Sequence, residues 1–212
     1  MGKLKITSKN LHLFNQNLRY EDPITIIKFV LQFAQTPVLT TSFGAHAAAI
    51  IHATNRVKKD LPVLWCDTGY NTEATYKHAQ SLTERFNLNV EIFAPRFTTA
   101  YLNESLGVPE IGNPRHKKFT EIVKLEPFAR AMEKYRPDIW FTTIRKNQTA
   151  YRNTLDILSF TNEGVLRVSP FYHFTDEDIL KYLLDHDLPV EYDYFDPVKA
   201  MSHRECGIQF TN

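Results

Sequence analysis

Cysteine is scarce in this chain: its 212 residues hold two, Cys66 and Cys206, far apart and in different kinds of sequence. A disulfide framework needs more, and so does an iron–sulfur cluster held by four thiolates. Charge of one sign is lacking too, since 25 Lys and Arg stand against 24 Asp and Glu for a formal net charge of +1. That balance sets up no whole-molecule field for nucleic acid or an acidic membrane surface. Any anionic ligand therefore has to be held by a local cluster of basic groups. No stretch is apolar for long enough to span a bilayer, and Met1-Gly2-Lys3-Leu4-Lys5 lacks the apolar run of a signal peptide. Repeats and low-complexity tracts are absent. These absences predict a protein of the reducing cytoplasm, its thiols reduced, that works on a small molecule and has neither nucleic acid nor membrane as partner.

What is present reads as one globular domain over residues 1–212. The chain is 43% hydrophobic and 23% charged, ordinary proportions, and its length suits one well-packed core better than two. Asp22-Pro23 reads as an N-cap and first-turn pair, and Ile24, Ile27, Val30, Leu31 and Ala34 then recur at helical spacing. Pro37-Val38-Leu39-Thr40-Thr41 reads as a strand, and the alanine-rich residues 45–53 as a helix. Pro62-Val63-Leu64-Trp65-Cys66 is a continuous apolar strand of the kind a doubly covered sheet needs, and a helix runs from beyond its loop to about residue 86. Val90-Glu91-Ile92-Phe93-Ala94, Ile139-Trp140-Phe141-Thr142-Thr143-Ile144 and residues 165–168 are further strands, while residues 95–114 read as irregular. A helix is predicted over residues 119–135 with Pro127 as a kink point, and another follows the Thr175-Asp176-Glu177-Asp178 cap. Strands alternating with helices predict a mostly parallel α/β sheet of five strands flanked by helices. Residues 189–212 read as a loop-like, flexible C-terminal tail.

Ligands of open α/β sheets sit beyond the carboxyl ends of the strands, and three polar loops fall there. In Thr40-Thr41-Ser42-Phe43-Gly44, a glycine would let backbone N–H groups approach a phosphate to which Thr41 and Ser42 can donate. Taken alone, the loop reads as an ordinary cap and turn. In Asp67-Thr68-Gly69-Tyr70, a carboxylate can accept from ribose or an adenine amine, and equally can cap a turn, with Cys66 a small buried hydrophobe. Ile144-Arg145-Lys146-Asn147-Gln148, with Arg152 beyond, carries more basic groups than a turn requires and points to an anion site. In the tail, Ser202-His203-Arg204-Glu205-Cys206-Gly207 places a thiol beside cations that favour the reactive thiolate. A polar tail with an incidental cysteine, or a His-x-x-Cys pair of metal ligands, are the other readings of that stretch.

In this order, the loops resemble one family, the sulfonucleotide reductases. Ser42-Phe43-Gly44 is similar to the Ser-Ser-Phe-Gly of that family's modified phosphate loop, and Asp67-Thr68-Gly69-Tyr70 matches its Asp-Thr-Gly-Tyr. Lys124-Leu125-Glu126-Pro127 resembles its Lys-Val-Glu-Pro segment, and Ile144-Arg145-Lys146-Asn147-Gln148 its Leu-Arg-Arg-x-Gln loop. Arg204-Glu205-Cys206-Gly207-Ile208 matches the signature that holds the catalytic cysteine, although Gln209 stands where the family has histidine. The resemblance covers residues 38–208.

The resemblance implies an adenine nucleotide alpha hydrolase-like fold and reduction of 3′-phosphoadenylyl sulfate (PAPS) to sulfite and adenosine 3′,5′-bisphosphate, with Cys206 as the catalytic nucleophile. It implies substrate contacts from Thr41, Ser42, Phe43, Gly44, Asp67, Thr68, Gly69, Lys124, Arg145, Gln148, Arg152, His203 and Arg204. Members that accept adenylyl sulfate carry extra cysteines for a [4Fe–4S] cluster. Residues 117–139 contain none, which implies PAPS as substrate and no metal. Reducing equivalents are then expected from thioredoxin or glutaredoxin, and the assembly is expected to be a homodimer. The rival readings are an ATP-dependent adenylating relative and a nucleotide-binding module without turnover. The first would need a Ser-Gly-Gly-x-Asp-Ser loop where Ser42-Phe43-Gly44-Ala45-His46-Ala47 stands. The second is opposed by Cys206 with its Arg-Glu and Gly neighbours.

Overall fold

The computed structural model describes residues 5–110 and 112–198. Six strands are joined by helices: β1 (Pro37–Thr41), β2 (Pro62–Cys66), β3 (Asn89–Phe93), β4 (Ile139–Phe141), β5 (Leu158–Phe160) and β6 (Leu166–Val168). The helices are α1 (Leu11–Leu18), α2 (Pro23–Leu31), α3 (Ala47–Asn55), α4 (Glu73–Phe86), α5 (Thr99–Ser105), α6 (Arg115–Thr120), α7 (Glu126–Tyr135) and α8 (Asp176–Asp185). Strand order in the sheet is β3-β2-β1-β4-β6-β5, every pairing parallel except β5 on β6. The mostly parallel α/β expectation holds, but the sheet has six strands where five are predicted. The extra one, β5, is a three-residue antiparallel edge too short to show a period. Its backbone is pinned from far away in sequence, because the Asn15 side chain both donates to the Leu158 carbonyl (2.9 Å) and accepts from its N–H (2.8 Å).

Alternation along each strand sorts side chains to two faces. Leu39, Val63, Trp65, Ile139, Phe141, Leu166 and Val168 point to one cluster, shared with Ile26, Ile27 and Val30 of α2, Ala48 to Ile51 of α3 and Ile179 and Leu183 of α8. Val38, Leu64 and Trp140 point to the other, closed by Leu102 of α5, Phe119 of α6, Val123, and Phe128 and Ala131 of α7. The caps read from sequence are made: Asp22 accepts from the N–H groups of Ile24 and Thr25, and Thr175 and Asp178 form a reciprocal box.

Two stretches differ from the sequence reading. Residues 95–114 contain α5, capped by Thr98, whose hydroxyl accepts from the Tyr101 N–H. The stretch carrying Pro127 does not break there. Between α6 and α7 the chain widens into a π-helical turn, Glu121–Leu125, with the Glu126 N–H donating to the Glu121 carbonyl. Proline cannot donate to a helical carbonyl, and its ring crowds the one four residues back. A wider turn relieves both problems, and Lys124 lies within that turn.

Candidate active site

The strand order reverses at β1, whose neighbours are β2 on one side and β4 on the other. At such a switch point the connections leave in opposite directions and open a crevice at the carboxyl ends. Here the crevice is a cavity of about 240 Å³. Its lining includes the loop after β1 (Thr41, Ser42, Gly44 and His46), Lys124 of the π turn, Arg145, Gln148 and Arg152 after β4, and Cys66, Trp140 and Tyr194.

Several wall residues are held by the fold. The Thr41 hydroxyl accepts from the Phe43 N–H (3.0 Å), bending the loop so that Phe43 adopts a left-handed φ of 51°. The Phe43 ring then turns inward, fully buried and edge-on to Trp65 (4.9 Å between centroids), and does not line the cavity. A side chain on Gly44 would stand 3.2 Å from the Tyr194 ring, so glycine is what lets the ring close on the loop. Trp140 donates from Nε1 to the Thr40 hydroxyl at 2.7 Å.

The basic groups are positioned by polar partners. Arg145 donates to Asp176 Oδ1 at the start of α8 (2.5 Å) and lies 3.4 Å from His46 Nδ1. The hydrogen bond and charge of Arg145 hold the Asp176 carboxyl below its usual range. Burial lowers His46, and the positive Arg145 lowers it further against the pull of Asp176. Gln148 Oε1 accepts from the Arg145 N–H (3.0 Å) and from Arg152 Nη1, tying the two arginines together. Lys124 Nζ pairs with Asp196 Oδ2, both side chains buried. A planar fork, a second fork and an ammonium within one cavity suit an anion with several oxygens.

The loop after β2 is built differently. Asp67 Oδ1 accepts from the Gly69 N–H (2.9 Å), from the Asn71 amide (2.7 Å) and from the Tyr76 hydroxyl (3.0 Å). Burial, with Asp67 beside it, pushes Tyr76 up to about 12. Thr68 accepts from the Tyr70 N–H at 3.2 Å, and Gly69 takes a left-handed φ of 77°. Asp67, Thr68 and Gly69 flank the cavity's β2 side without lining it; the carboxylate is spent on its own loop.

The structure thus brings Thr41, Ser42, Gly44, Lys124, Arg145, Gln148 and Arg152 to one cavity. Phe43 supports that wall from behind, and Asp67, Thr68 and Gly69 stand beside it. Cys206, His203 and Arg204 lie outside the described residues. Sequence reading missed His46, Tyr194, Asp176 and Asp196. The two from residues 194–196 carried a signal only in being a tyrosine and an acid in an otherwise loop-like tail. Among the described residues no three His, Cys, Asp or Glu side chains converge as metal ligands, and no described helix is long and apolar enough to cross a membrane.

Comparison with known proteins follows the same lines. The family model for the phosphoadenosine phosphosulfate reductase domain matches residues 36–196. Phosphoadenosine 5′-phosphosulfate reductase of Xylella fastidiosa (strain 9a5c) is 36% identical over 154 residues, 72% of this chain and 65% of that protein. The protein of the same name from Vibrio cholerae serotype O1 is 33% identical over 187 residues, 88% of this chain and 72% of the other. The chain therefore spans just under two thirds of the Xylella protein's length. The crystal structure of phosphoadenylyl-sulfate (PAPS) reductase from Candida auris, a phosphate complex, matches with a TM-score of 0.77 at 16% identity, covering 90% of this chain and 92% of that one. Candida glabrata FMN adenylyltransferase in complex with ATP matches less well, with a TM-score of 0.55 at 13% identity over 89% of this chain and 61% of that one. At these identities the structural matches bear on the fold.

Proposed function

The chain belongs to the phosphoadenosine phosphosulfate reductase domain family, and from that premise we propose that it reduces PAPS to sulfite in sulfate assimilation, using Cys206 as nucleophile. The observation that carries this reading is the convergence of Ser42, Gly44, Lys124, Arg145, Gln148 and Arg152 on one cavity at the switch point between β1 and β4. Nothing in a neutral chain attracts an anion at long range, yet this cavity concentrates three cations.

In the proposed mechanism Ser42 and the backbone around Gly44, ahead of the N-terminus of α3, hold phosphate oxygens. Arg145, Arg152 and Lys124 neutralise phosphate and sulfate, with Gln148 fixing the two arginines. Thr41 shapes the loop, Phe43 backs it, and Asp67, Thr68 and Gly69 border the nucleoside. The Cys206 thiolate, favoured electrostatically by His203 and Arg204, attacks the sulfur of the sulfo group. The S–O bond to the 5′-phosphate breaks and its electron pair leaves on adenosine 3′,5′-bisphosphate, while an S-sulfocysteine forms. A thiolate of thioredoxin or glutaredoxin then attacks Cys206 Sγ and expels sulfite. The donor's second thiol resolves the mixed disulfide, so the donor is oxidised and Cys206 returns as thiol.

A chain with two cysteines cannot supply four thiolates to an iron–sulfur cluster, which supports PAPS over adenylyl sulfate and chemistry carried by thiols alone. We take the enzyme to act in the cytoplasm, where thiols stay reduced, and as a homodimer, as the resemblance implies. Replacing Cys206 by Ser tests the assignment: sulfite release from PAPS should vanish while adenosine 3′,5′-bisphosphate still binds. Sulfite release by that variant at the wild-type rate would remove Cys206 from the mechanism.

A further inference from the structure

Residues 191–198 form a strap, without helix or strand, that is pinned at both ends and reaches the cavity in between. At its start Glu191 is buried. Its carboxylate accepts from the Thr75 hydroxyl of α4 (3.1 Å) and from the Asp193 N–H (2.6 Å), and its own N–H donates to the Ala45 carbonyl (3.4 Å). At its end Val198 is buried among Val38, Phe128 and Trp140, and its N–H donates to Asp196 Oδ1 at 3.0 Å. Between these anchors Tyr194 closes on Gly44, and Asp196 reaches Lys124.

Lys124, which lines the cavity with Arg145 and Arg152, is thus paired with a carboxylate carried by the strap. An anion that approaches Lys124 comes close to the Asp196 carboxylate paired with it, a like charge at short range and poorly screened. We propose that Asp196 is an internal stand-in for the substrate's anion: it holds Lys124 in the unliganded enzyme and is displaced, with the strap, when the sulfonucleotide binds. The inference rests on the functional reading above. It makes the strap a specificity device. A small free anion such as inorganic sulfate brings too few contacts to break the Lys124–Asp196 pair. A whole nucleotide adds the contacts of Arg145, Arg152 and the Ser42 loop, and so can displace it.

The thermodynamics give this a signature that a merely structural ion pair lacks. Removing one partner of a buried pair leaves the other charge uncompensated, so Asp196→Asn should be less stable without ligand. An anionic ligand then restores the missing partner, and binding no longer includes breaking the pair. Calorimetric titration with adenosine 3′,5′-bisphosphate should give a Kd roughly tenfold lower in Asp196→Asn than in the wild type, the size of an ordinary site-to-site coupling. The nucleotide-induced rise in melting temperature should be larger in the variant as well. Should Asp196→Asn fail to fold, Glu191→Ala, which loosens the strap from α4 without touching Lys124, carries the same expectation of tighter binding. A wild-type Kd that stays unchanged or weakens in the variant, with no larger thermal upshift, overturns the gate and leaves the functional reading standing. Absence of nucleotide binding in the wild type itself overturns both.

Discussion

Phe43 offers a prediction whose size follows from geometry. It stands in the loop that the proposed mechanism uses for phosphate, yet its ring is fully buried against Trp65, with centroids 4.9 Å apart and planes at 70°. Truncating a buried phenylalanine to alanine costs about 3–5 kcal/mol, lost transfer free energy and cavity together. At about 2–4 °C per kcal/mol for a chain of this size, Phe43→Ala should melt roughly 6–20 °C below the wild type. Phe43→Gly discriminates further. It removes one more carbon and adds about 0.5–1 kcal/mol of glycine's backbone entropy. It also relieves the left-handed φ of 51°, worth about 1–2 kcal/mol for a residue with a side chain. The two variants should therefore lie within about 1 kcal/mol of each other, a balance of these two opposing effects. Urea denaturation of the three proteins measures this directly. A loss below about 1 kcal/mol for Phe43→Ala would mean that the ring does not anchor the loop, since that is far short of a core truncation. A Phe43→Gly variant much weaker than Phe43→Ala would mean that the backbone there is not strained.

Gly69 has φ +77° and an added Cβ would meet Thr99 Oγ1 at 2.8 Å, whereas Gly164, at φ +84°, has open space. Gly69→Ala should lose more stability in thermal melts than Gly164→Ala, which bears only the left-handed strain of about 1–2 kcal/mol; equal losses would contradict the packing argument. His52 of α3 faces α8, hydrogen-bonded to Tyr182 and beside His186. Burial, then the charges of His186, Arg56 and Arg85, lower it from 6.5 to about 4. The unfolded chain thus binds a proton that the folded one refuses, so this contribution to stability is complete above about pH 6.5 and is lost as pH falls towards 4. Urea midpoints followed down through that window should fall less steeply in His52→Gln than in the wild type, and parallel curves would refute the assignment.

The fold was legible where a residue's role is local. Pro37–Thr41 and Pro62–Cys66 are the strands their apolar, β-branched runs predict, and Asp22 and Thr175 cap as their spacing requires. Beyond Phe141, Thr142-Thr143-Ile144 looks like more of the same strand, but the chain leaves the sheet there to carry Arg145 to the cavity. What could not be read depends on partners distant in sequence. β5 owes its place to Asn15, and the role of Asp196 appears only once the strap is seen to bring it to Lys124. The same limit applies to Asp67, whose motif suggests a ligand contact while its oxygens serve Gly69, Asn71 and Tyr76.

The proposed function requires that Cys206 take the sulfonate from PAPS onto its own sulfur. Intact-mass measurement of the reduced protein after incubation with PAPS, and again after adding thioredoxin, tests it most directly. The expected result is a gain of one sulfonate, mapped to Cys206, that disappears as sulfite is released. Nucleotide bound in the cavity with no adduct on Cys206 would contradict it.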